Sequence, residues 1–168
     1  TVCANNLKQL GLITSEYLED NEGVYFDANY WGRDLYAYSG LPNQASGSSS
    51  YPPLWRCPSQ PNARVFKVRW GASWVYGSYT FNNWLASSAT DWRRHSSILR
   101  PSQKLLVLDG WDNNDFNGNN VAYLRWGTID PQGEFDPRHG GGANALYPDW
   151  HTSRFTVIPD IEFFKQQP

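Results

Sequence analysis

Residues 1–20 read TVCANNLKQLGLITSEYLED. Leu7, Leu10, Ile13, Tyr17 and Leu18 recur at helical spacing and make one apolar stripe, while Asn5, Gln9, Glu16 and Glu19 fall elsewhere on the cylinder. The stretch is an amphipathic helix long enough to cross a domain. It runs into Asp20-Asn21-Glu22-Gly23, where a glycine after a polar turn supplies the left-handed cap that closes a helix. No capping residue or leading loop stands before it, so a further segment is expected upstream of Thr1.

Beyond the helix the pattern changes. A second, short helix fits Trp31 to Tyr38, and Gly40 to Pro53, with Gly47-Ser48-Ser49-Ser50 and Pro52-Pro53, reads as a surface loop. Short β-type runs follow: Val65 to Val68, Ser73 to Phe81, Leu105 to Leu108, Val121 to Trp126, Ala143 to Tyr147 and Arg154 to Ile158. A helix first and strands afterwards predict an α+β domain, a long N-terminal α-helix packed on an antiparallel β-sheet with long loops. At 168 residues the chain suits a single domain over 1–168.

Composition narrows the function classes. The formal net charge is −2 and the 14 Lys and Arg are scattered, so no basic face is offered to nucleic acid. No apolar run reaches the roughly 20 residues needed to span a bilayer. Cys3 and Cys57 are too few for a disulfide scaffold and lack the paired spacing of a zinc ribbon.

Five separated landmarks, in order, resemble one family, the bacterial prepilin-type proteins named for a C-terminal His-x9-Asp-Gly motif. Cys3-Ala4-Asn5-Asn6-Leu7-Lys8-Gln9-Leu10-Gly11 is similar to the segment that follows their membrane helix. Leu54-Trp55-Arg56-Cys57-Pro58-Ser59 resembles their central Cys-Pro element, and Tyr76-Gly77 through Asn82 their Tyr-Gly-x-Asn strand. Arg100-Pro101-Ser102 with Leu108-Asp109-Gly110 resembles the next strand, and Arg138-His139-Gly140-Gly141-Gly142-Ala143-Asn144 through Asp149-Trp150-His151 the naming motif. One departure stands out. Asp149-Trp150 replaces Asp-Gly, and since glycine serves turns with positive φ, which Trp resists, a different turn is expected at that hairpin.

The resemblance implies a pilin-like fold and a structural, non-catalytic subunit akin to a pseudopilin of a type II secretion or type IV pilus-like apparatus. Its partners would be other pilin-like subunits or components of the secretion machinery. It also implies a processed N-terminal membrane helix upstream of Thr1, anchoring the full-length protein to the inner membrane with its head in the periplasm or at the cell surface. Export would place Cys3 and Cys57 in an oxidising compartment that favours a bridge. Such a bridge closes a loop of about 54 residues, worth on the order of 4 kcal/mol. The alternative is two buried free thiols.

Candidate chemistry is sparse. His139, His151 and Asp149 offer metal-ligand types, but Asp149 and His151 fall at a hairpin turn where Asp bonds its own backbone, so His139 and Asp149 are read as structural. Asn113, Asp115, Asn117 and Gly118 follow the opening of a calcium loop, but its twelfth position is Leu124 instead of a bidentate Glu. That excludes an EF-hand and favours an Asn-rich turn, leaving Asn113, Asp115 and Asn117 as candidate Ca²⁺ ligands and no other cofactor. No Gly-x-Ser-x-Gly elbow or nucleophile signature occurs, and Gly140-Gly141-Gly142 reads as a flexible connection. Nine Trp residues raise a rival reading, a secreted carbohydrate-binding module with an exposed stacking platform, for which Trp111 and Trp150 are the loop candidates. A secreted hydrolase ranks behind it.

Overall fold

The computed structural model describes residues 2–26, 31–40, 53–60, 66–70, 73–82, 85, 94–110, 123–124 and 136–157. Helix α1 (Val2–Asp20) buries Cys3, Asn6, Leu7, Leu10, Gly11, Ile13, Thr14 and Leu18, the 3.6-residue stripe that amphipathic spacing demands. It ends as a glycine-capped helix does: Gly23 N donates to Leu18 O at 2.7 Å, and Gly23 sits at φ 73°. Helix α2 (Trp31–Tyr36) is shorter than the sequence suggests, because Ala37–Ser39 tightens into a 3₁₀ turn closed by left-handed Gly40. None of the helices among the described residues is long and apolar enough to cross a membrane.

Strands β1 (Phe66–Trp70) and β2 (Ser73–Gly77) pair as a separate antiparallel hairpin. The main sheet holds β3 (Tyr79–Asn82), β4 (Val107–Asp109), β5 (Tyr123–Leu124), β6 (Ala143–Leu146) and β7 (Thr152–Phe155), in the order β5-β3-β4-β6-β7. The run from Ser73 to Phe81, read from sequence as one strand, is divided at Ser78. There the backbone N–H donates to Trp55 O at 2.8 Å and the carbonyl accepts from Gly110 N at 3.3 Å, so Ser78 serves as a junction between the two sheets. Four of the five main strands are antiparallel neighbours; β5 lies parallel to β3. The architecture is α+β.

Helix α1 packs on the sheet across β6. Gly11 lets the two approach closely: a Cβ there would stand 3.2 Å from Leu146 Cδ1. Central strands β4 and β6 are buried throughout, which suits strands covered on both faces, while edge strand β7 is only half-buried. On the α1 side, Leu7, Leu10, Ile13, Phe81, Val107 and Leu146 join one core with an aromatic cluster. In that cluster Phe81 meets Trp31 at a centroid distance of 4.8 Å and Phe26 at 4.9 Å, and Trp31 meets Trp55 at 5.2 Å. Rings of this size supply much of the buried apolar area of a domain this small.

Candidate functional site

Three chain segments converge where α1 begins. Cys3, in the first turn of α1, is bridged to Cys57, with Cα atoms 5.0 Å apart across 54 residues. The contact is reinforced one turn on, where Asn6 Nδ2 donates to Arg56 O at 3.0 Å. The third segment is the turn leading into β6. His139 Nε2 lies 3.4 Å from Cys57 Sγ and 3.2 Å from Asp109 Oδ2.

Asp109 ends β4 with no exposed surface, and its hydrogen bonds fall on Oδ2 while Oδ1 has no hydrogen-bond partner. Oδ2 accepts from Asn144 N at 2.7 Å and Asn144 Nδ2 at 2.8 Å, carrying the β4–β6 ladder on through a side chain. Burial pushes the Asp109 carboxyl above its usual range; the Arg138 charge and the Asn144 bonds oppose that rise without cancelling it. Arg138 is buried alongside, its Nη2 donating to Gly110 O at 2.6 Å and Ser78 O at 3.2 Å and its Nε facing Asp136 Oδ2 at 3.1 Å. A guanidinium fork is the one side chain that ties two carbonyls and a carboxylate together from a fixed plane.

The turn that carries His139, read from its three glycines as a flexible connection, is closed by hydrogen bonds. His139 N donates to Gly142 O at 2.9 Å and Gly142 N returns to His139 O at 3.3 Å, while Arg154 Nη2 reaches both His139 O and Gly140 O, the latter at 2.8 Å. A Cβ on Gly142 would stand 2.8 Å from Phe155 O, so β7 has packed directly onto the glycine backbone.

His139 and Asp149 are therefore not partners. Asp149, at the tip of the β6–β7 hairpin, bonds the ring of His151, which itself stacks on Tyr147 at 4.0 Å. The turn expected to avoid positive φ does not avoid it: Trp150 sits at φ 69°. Trp150 N donates to Tyr147 O at 2.9 Å and Tyr147 N to His151 O at 3.0 Å, the bonding of a three-residue hairpin loop whose last residue is left-handed. The indole offsets the backbone strain by packing on the core and stacking on His95.

Of the other sequence candidates, Asn113, Asp115, Asn117 and Trp111 lie outside the described residues. Trp31 and Trp55 are fully buried, and Trp150 is half-buried. Sequence reasoning missed Asp136 and the roles of Asp109, Arg138 and Asn144. The one local signal was an acid closing the apolar run Leu105 to Leu108. Against protein-family models, curated proteins and solved structures alike, the chain shows no match.

Proposed function

We propose that this chain is the head of a pilin-like assembly subunit, of the pseudopilin kind found in type II secretion or type IV pilus-like machines, working by assembly instead of catalysis. The observation that carries the reading is how α1 joins the head. A helix that continues into an anchor must pass load to its domain. Here the covalent tie at Cys3 and the Asn6 bond to Arg56 O hold the first turns of α1 to the central loop, while Leu7, Leu10 and Ile13 pin its middle to the core. The five ordered landmarks of the sequence support the same reading, and the buried junction of Asp109, Arg138 and His139 serves to lock the loop, helix and sheet together. On this proposal the head is exported to the periplasm or cell surface and meets other pilin-like subunits there.

The test is made on the full-length protein in its own cells. Its gene should encode an apolar segment of about 20 residues directly before Thr1, preceded by a short basic leader. The protein should fractionate with the inner membrane. A soluble domain or an ordinary cleaved signal in that position, with the protein free in a soluble fraction, would overturn the proposal.

A further inference from the structure

We propose, beyond the assembly role, that reduction of the Cys3–Cys57 bridge turns this junction into a zinc-type metal site held by Cys3 Sγ, Cys57 Sγ and His139 Nε2. The three donor atoms all lie within 4.8 Å of one another, and they arrive from three separate segments. Two Zn–S bonds of about 2.3 Å at the tetrahedral angle set thiolates about 3.8 Å apart, and a Zn–N bond sets sulfur and nitrogen about 3.5 Å apart. The nitrogen is already in place, 3.4 Å from Cys57 Sγ. The sulfurs need only separate by rotation about their side-chain bonds, since Cα atoms 5.0 Å apart accommodate either arrangement.

Asp109 Oδ2 lies 3.2 Å from His139 Nε2 but outside this set of mutually close donors, so three protein ligands hold the ion and a water completes the tetrahedron. Two thiolates around a divalent ion leave no net charge, and the neighbouring Asp109 carboxylate adds a single negative charge. The buried Arg138 guanidinium offsets it. Two sulfurs and an imidazole select zinc over calcium or magnesium.

The conversion balances with a dithiol reductant. Two electrons from the dithiol break the S–S bond, the reductant leaves as its own disulfide, and two cysteine thiols form. Metal binding then releases both thiol protons to solvent. In the oxidised protein the sulfurs hold each other and present no thiolate, so the site exists in one redox state only.

The probe is Co²⁺, displaced afterwards by Zn²⁺, added anaerobically to protein that has been reduced with dithiothreitol and freed of it. Reduced protein should bind one Co²⁺ per chain, with a thiolate-to-cobalt charge-transfer band and the intense visible bands of tetrahedral cobalt. Oxidised protein should show neither. His139→Ala should weaken binding by at least about tenfold, the lower end of what even an outer-shell partner contributes. Near-ultraviolet circular dichroism follows folding throughout. If reduction loosens the chain, cobalt should restore the native signal in the wild type and not in His139→Ala. Absence of the thiolate band in reduced protein, undiminished affinity in His139→Ala, or failure of cobalt to restore a lost native signal would each overturn the proposal.

Discussion

The indole of Trp150 lies parallel to the imidazole of His95, with ring centroids 5.2 Å apart and an interplanar angle of 2°. His95 in turn meets the Tyr25 hydroxyl through Nδ1 at 2.8 Å, so a hairpin tip is fastened to the segment that follows α1 through one histidine. That contact accounts for a bulky residue at φ 69°.

Separating backbone from ring gives the first prediction. Left-handed backbone costs a residue with a Cβ about 1–2 kcal/mol, a penalty glycine escapes. Trp150→Gly and Trp150→Ala both lose the ring, and both should be less stable than wild type. Trp150→Ala should be the worse of the two by about 1 kcal/mol in urea denaturation. Equal stability of the two would mean that this backbone carries no strain.

Acid should weaken the same contact. Burial lowers the His95 pKa below its ordinary 6.5, so the unfolded chain takes up that proton more readily than the folded one. The contribution of a neutral His95 is fully present above 6.5 and is lost as pH falls from there through the lowered folded value. The stability advantage of wild type over His95→Gln should shrink on acidification through this window. An advantage that grows instead would contradict the burial argument.

Thiol titration of denatured, non-reduced protein isolated from its own cells should find no free thiol. Breaking the bridge with Cys57→Ser should lower stability by about 4 kcal/mol, the loop-closure entropy of a chain tied over 54 residues. Two titratable thiols in such material would show that the pair is not bridged in the cell.

Loss of His139 leaves the wholly buried Asp109 carboxylate one partner short. His139→Ala should cost about 1–3 kcal/mol. In oxidised wild type, neither zinc nor EDTA should shift the thermal midpoint. A zinc-dependent rise there would place a metal at this histidine without any reduction.

Arg138→Met should be more damaging. It preserves bulk but strips Gly110 O of its 2.6 Å donor, breaks the ion pair with Asp136 and removes one of the charges that offset the burial of Asp109. Breaking a buried ion pair in this way costs about 3–5 kcal/mol. A variant within about 1 kcal/mol of wild type would show that the network has a solvated alternative.

The helix and its end were legible because their causes are local. The spacing of Leu7, Leu10 and Ile13 and the glycine at 23 dictate burial and capping through residues only a few positions apart. The run Ala143 to Tyr147 marked β6 within one residue at its end, because a short apolar stretch bounded by Gly and Pro is a local signal. The strand divided at Ser78 was hidden, since its cause is a hydrogen bond to Trp55, 23 positions earlier. Parallel pairing of β5 with β3 was likewise invisible in short runs that read alike in either direction.

By itself, then, the sequence determined a helix-first α+β chain with one apolar helix face and two cysteines available for pairing. Tertiary structure decided that His139 meets Asp109 and Cys57 and not Asp149, that Arg138 is buried under two carbonyls, and that Trp150 accepts a left-handed backbone. The physical reason is range. Periodicity and capping act over a few residues and leave their mark on neighbouring letters. The buried Asp109 charge is held by whichever donors the packed chain brings to it, and those donors, His139 and Asn144, stand 30 and 35 positions away along the chain.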